Sequence, residues 1–144
     1  MANFDFQPFI GKSSTPVRNE VEKGAIRKFA EAIGDGNPRY LSQNVDDVVE
    51  APPTFSRSFD YGTILGLQLP KDGLIHGEQK FEYARPIVAG DVLYASTTLL
   101  DVKERSGRLG RMVFLFFEHK AVDGAGNIVV RETSTVIYRE GESA

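Results

Sequence analysis

Cysteine is missing from this 144-residue chain, and histidine is reduced to His76 and His119. Without cysteine there can be no thiol nucleophile, disulfide, thiolate-held zinc or iron–sulfur cluster. With two histidines, any metal site would rest mainly on carboxylates. A surplus of one charge is lacking too: 17 Lys and Arg face 20 Asp and Glu, a mixed-sign net of −3. That balance argues against a protein that grips a phosphate backbone. The opening residues have no basic stretch followed by an apolar core, and no apolar run reaches the length of a membrane span. The expectation is a soluble cytoplasmic chain with no nucleic-acid partner and no membrane span. The GxSxG, Walker and GxGxxG patterns are absent as well. Gly107-Arg108-Leu109-Gly110 sits between two strand-like runs and reads as a hairpin turn.

What is present fits one core and is too short for two full enzyme domains. No repeat, low-complexity stretch or linker interrupts it. Residues 8–139 are expected to form one domain, with residues 1–7 and 140–144 as flexible ends. Residues 15–21 read as a short strand or extended lead-in. A helix is predicted over about 22–33, because Ala25, Ile26, Phe29, Ala30 and Ile33 recur at three- and four-residue spacing. Gly34 is a natural stop for it, and Gly36 with Pro38 prevents its resuming. An ordered turn, Gly34 to Tyr40, follows directly.

A second helix is expected from Thr54 to about Leu69, with Phe55, Phe59, Gly62 and Gly66 on one stripe and Tyr61, Leu65 and Leu69 on a neighbouring one. Apolar residues surround most of that segment, as in a helix buried inside a domain. From Gly73 onward the period becomes two. The runs 91–104, 111–122 and 127–139 are long and rich in β-branched and aromatic residues, with turn signals at Ser106-Gly107 and Asp123-Gly124-Ala125-Gly126. A long central helix wrapped by a curved antiparallel sheet is the expected α+β architecture, a single hot-dog fold.

The densest feature is Ala32-Ile33-Gly34-Asp35-Gly36-Asn37-Pro38-Arg39-Tyr40. It resembles the hydratase signature of the MaoC-like (R)-specific enoyl-thioester hydratases and dehydratases. Ala51-Pro52-Pro53-Thr54-Phe55, the stretch from His76 to Tyr83, and Arg85-Pro86-Ile87-Val88-Ala89-Gly90-Asp91 extend the match over nearly the whole chain. Together they look like the N-terminal-type MaoC dehydratases, the subfamily that includes the A subunit of the mycobacterial (3R)-hydroxyacyl-ACP dehydratase. The resemblance implies reversible hydration of a trans-2-enoyl thioester, carried by acyl-CoA or acyl-ACP, with no metal and no cofactor. In that chemistry an Asp and a His hold one water, and a backbone N–H at the start of the central helix stabilises the enolate oxygen.

Carried over residue by residue, Asp35 takes the place of the catalytic Asp, and Asn37-Pro38 match the turn. Where the pattern has its catalytic His, this chain has Tyr40. A phenol with an ordinary pKa of about 10 is a poor base for water. The resemblance therefore implies a subunit whose Asp/His pair comes from a second, MaoC-like hot-dog. Thr54 or Phe55 stands where the oxyanion donor belongs, and His76 stands where it could line an acyl or pantetheine channel. Each has a plainer reading. Asp35 can be a turn residue bonding nearby amides, Tyr40 a packing residue, Asn37 a turn former, Thr54 a cap and His76 a surface group. His119 alternates with Phe117 and Ala121 and reads as packing, and residues 114–117 read as a core or interface strand. A homodimer active on its own, a non-catalytic acyl-thioester binding module and a thioesterase remain open beside the dependent subunit.

Overall fold

The structure, a computed structural model, describes residues 5–108 and 110–139. Five strands form one antiparallel sheet in the order β1-β3-β4-β5-β2. They run over Val17–Glu20 (β1), Leu74–Tyr83 (β2), Val92–Gly107 (β3), Gly110–Val122 (β4) and Ile128–Arg139 (β5). β3, β4 and β5 are the three long runs read from the period-two pattern, and β3 meets β4 at the Gly107–Gly110 turn. Irregular register at Leu99/Asp101 and at Ala121/Val122 lets these long strands curl. Inward residues such as Leu93, Ala95, Leu99, Leu115 and Val130 are wholly buried. The outward Phe116 and Phe114 are instead covered by Lys103 and Arg105.

Helix α1, Lys23–Ala32, lies where the spacing predicts it and buries Ile26 and Ala30 completely. Phe29 meets Phe55 edge-on, with ring centres 5.4 Å apart. The helix ends in a Schellman motif. Gly34, at φ +72°, donates to Glu31 O, and Asp35 N donates to Ala30 O at 2.9 Å. A single-turn helix α2, Pro38–Leu41, follows at once.

The helix expected over 54–69 is not there, and this corrects the expected long central helix. A 3-10 turn at Phe55–Ser58 is the whole of its helical content. Two causes stand out. Gly62 and Gly66 adopt φ of +71° and +82°, which a right-handed helix cannot contain. Asp60 also bonds locally and across the chain: its Oδ1 accepts from Gly62 N, and its N–H donates to Asn19 Oδ1 at 2.9 Å. The apolar stripe is split accordingly. Tyr61 and Ile64 are buried, whereas Leu65 is 94% exposed. The fold is still the hot-dog sheet, but an irregular segment lies against its inner face. Among the described residues, no helix is long and apolar enough to cross a membrane.

The ends expected to be flexible fall partly outside the described residues, at 1–4 and 140–144. Within the described part, Phe6 is 2% exposed and packs edge-on against Tyr138.

Candidate functional site

The turn after α1 is built from local bonds. The Asp35 carboxylate accepts Asn37 N–H at 3.0 Å, and Asn37 Oδ1 accepts Arg39 N–H at 3.2 Å, capping α2. Tyr40 N–H donates to Asn37 O. The α2 helix turns Tyr40 inward, where it is 7% exposed among Val49, Ala51 and Ile87 in the core. The structure thus brings Asp35, Asn37 and Tyr40 into one continuous turn, half-buried at Asp35 and Asn37. One Asp35 carboxylate oxygen and the Asn37 side-chain oxygen help to fix its shape.

Thr54 is exposed and caps the 3-10 turn with no side-chain bond, and Phe55 is buried. Phe55 N–H donates to Pro52 O at 2.9 Å, so it is engaged within the loop. The expected helix N-terminus at this point is absent, and with it the dipole that was to favour an oxyanion.

His76 lies in β2, exposed, just before the register shift at His76/Glu78. Its Nε2 is 3.0 Å from Gln79 Oε1. From there a polar network runs inward. Gln79 Nε2 donates to Glu132 Oε1 at 2.7 Å, Arg57 Nη1 donates to the same oxygen at 3.3 Å, and Tyr61 Oη lies 2.5 Å from Glu132 Oε2. Glu132 is 0% exposed. A buried carboxylate is tolerated only when paired and hydrogen-bonded, and here three donors, two from the segment at 57–61 and one from β2, supply that. Burial and the adjacent carboxylate push the Tyr61 phenol far above its usual range, so it remains a donor. Tyr83 moves the same way, mainly through burial.

His119 sits beside this network, its ring 4.9 Å from that of Tyr61. Burial holds its imidazole below the usual histidine range; Glu132 opposes that shift and Arg57 adds to it. The packing role expected for His119 therefore covers only part of its surroundings. A cavity of about 260 Å³ opens here, roofed by residues 57–69 and floored by the sheet, with His76, Thr97, Phe117, His119, Ser134 and Val136 in its wall. His76 and the floor thus share one cavity, whereas Asp35, Asn37, Tyr40, Thr54 and Phe55 do not line it.

Glu132, Tyr61, Gln79, Arg57 and Thr97 were not singled out by motif. One signal was available. Glu132 and Ser134 are in phase with Val130 and Tyr138 on β5, so a strand with its apolar residues inward also turns two polar ones inward. Among the described residues, no cluster of His, Asp and Glu is arranged to hold a metal.

Residues 8–132 match the family model described as FAS1-like, dehydratase domain region. A UPF0336 protein of Streptomyces coelicolor is 35% identical, with 96% of this chain and 97% of that protein covered. Among solved structures, the C-terminally truncated HadBC (3R-hydroxyacyl-ACP dehydratase) complex of Mycobacterium tuberculosis is similar at a TM-score of 0.69 and 21% identity, covering 90% of this chain and 96% of that one. The MaoC-like dehydratase of Rhodospirillum rubrum is similar at 0.68 and 21%, covering 92% and 94%. At such identities the two structures speak to the fold.

Proposed function

Because this chain belongs to the family of the FAS1-like dehydratase domain region, we propose that it is a subunit of a (3R)-hydroxyacyl-thioester dehydratase, equally a trans-2-enoyl-thioester hydratase, in fatty-acyl metabolism. It works with a second, MaoC-like hot-dog that carries the Asp/His pair, and takes acyl-CoA or acyl-ACP. The observation that carries this reading is the turn. Asp35 and Asn37 stand where the resemblance places the hydratase turn, with Asp35 accepting from Asn37 N–H, while the residue in the histidine position, Tyr40, is a phenol packed into the core.

In the hydration direction the pair holds one water, whose oxygen bonds to C3 while a proton is delivered to C2; the thioester stays intact. Dehydration is the reverse, with C2 losing the proton and C3 the hydroxyl. The base must be unprotonated near neutral pH and within hydrogen-bond reach of the water, and a core phenol does not meet that need. This chain supplies sheet, turn and cavity to the assembly, and His76 lies at the rim of that cavity.

The test is to co-express the chain with a MaoC-like subunit bearing the full pair and follow loss of the conjugated enoyl absorbance on short and long trans-2-enoyl thioesters. Hydration by the complex is expected. Acyl-CoA binding without turnover would overturn the proposal in favour of a binding module. Release of free thiol would mark thioester hydrolysis instead.

A further inference from the structure

Neither the Asp35 turn nor the sheet ladder accounts for the His76-Gly77-Glu78-Gln79 stretch of β2. His76 and Gln79 are three residues apart, so in a regular strand their side chains would point to opposite faces. The register shift between His76 and Glu78 changes that. His76 pairs with Val136 and Gln79 with Ser134, residues in phase on the inner face of β5, so both side chains come to that face. Gly77 is the residue left over. It lies so close to β5 that a Cβ there would stand 3.2 Å from Ile137 Cδ1 and 3.4 Å from Thr135 O. The bulge thus puts a histidine and a glutamine side by side at the rim of the cavity beneath residues 57–69.

The bonds that follow have a fixed direction. A carboxylate only accepts, so the Gln79 group 2.7 Å from Glu132 Oε1 is the amide N–H. That leaves the Gln79 carbonyl oxygen for His76, 3.0 Å from Nε2, and a carbonyl oxygen likewise only accepts. Nε2 therefore carries the hydrogen, and the lone pair of the neutral imidazole is on Nδ1. Nδ1 makes no bond among the described residues, and His76 is exposed. We propose that His76 is a ligand-binding residue and that the cavity takes an apolar chain ending in an N–H or O–H donor. The chain lies against Ile64, Leu67, Phe117 and Val136, and the donor bonds His76 Nδ1. Gln79, anchored on buried Glu132, is a positioning residue that sets the tautomer of His76. The inference goes beyond the thioester reading, since neither the Asp35 turn nor a thioester enters it.

The experiment is an NMR titration of the full chain with two pairs of isomers, one member of each pair lacking the donor. The pairs are 1-hexanol with methyl pentyl ether, and N-methylhexanamide with N,N-dimethylpentanamide. The donor isomer of at least one pair should bind about fivefold more tightly than its partner and shift the amides of His76, Ser134 and Val136. The pair that shows the preference identifies the donor as O–H or N–H. His76→Phe, at an exposed position, should abolish the preference. Ring nitrogen spectra at alkaline pH, where the neutral imidazole is observed, report on Gln79. Wild type should carry the hydrogen on Nε2 alone, with Nδ1 shifting as the donor isomer is added, whereas Gln79→Leu should show both tautomers and a weaker preference. If Gln79→Leu does not fold, the wild-type spectra and His76→Phe stand without it. Equal affinity within both pairs, no binding of any isomer, a hydrogen on Nδ1 in wild type, an unchanged tautomer in folded Gln79→Leu, or a preference that survives His76→Phe would each overturn the proposal.

Discussion

The turn at residues 34–40 and the floor of the cavity are both polar, but their bonds have different reach. In the turn, Asp35 bonds Asn37 and Asn37 bonds Arg39, each two residues on. In the strand row that borders this floor, Glu132 gathers donors 53, 71 and 75 residues away in sequence. A local motif turns its side-chain bonds onto its own backbone and so fixes its own shape. A row assembled across strands can be rigid through one member, Glu132, and leave spare capacity at others, Thr97 and His119. The segment most recognisable in sequence is therefore not the one whose polar groups face the cavity.

Removing one carboxylate from each region separates the two most strongly. Glu132→Leu removes the buried acceptor shared by Tyr61, Gln79 and Arg57. It leaves the Tyr61 hydroxyl its bond to Ser56 O at 2.8 Å and the half-buried Gln79 amide without that acceptor, and should lower unfolding free energy by about 2 kcal/mol. Arg57 contributes little to that figure, because its side chain is 43% exposed. Asp35→Ala loses one half-buried turn bond and should cost about 1 kcal/mol or less. Urea midpoints at constant slope read both. Equal losses would erase the distinction between the regions.

A smaller effect sharpens it. His119 has its folded pKa held below the unfolded value of about 6.5. Its neutral form therefore suits the fold above that pH. As pH falls from about 6.5 toward the lower folded value, the unfolded chain takes up the proton first and stability is lost. Wild type should weaken in that window relative to His119→Phe, with the two curves running parallel above it; urea midpoints from pH 5 to 8 check this.

Much of the sheet was legible in sequence because period-two alternation in the long runs is a strong signal, and α1 because its apolar spacing ends at Gly34. The segment 54–69 departs from its helical pattern for a physical reason. Phe55 with Phe59, and Tyr61 with Leu65 and Leu69, do carry helical stripes, but Gly62, Gly66 and Asp60 favour left-handed and side-chain-bonded backbone, and propensity yields to those local bonds. The turn was legible because its residues are contiguous. The floor was not, because Thr97, His119 and Glu132 become neighbours only through strand register.

The central claim, that the Asp35 turn is not a working hydratase centre by itself, is met most directly by assaying the purified chain alone on trans-2-enoyl thioesters. The account predicts a rate at the uncatalysed background, with wild type and Asp35→Ala indistinguishable. Substantial hydration by the chain alone that vanishes in Asp35→Ala would contradict it.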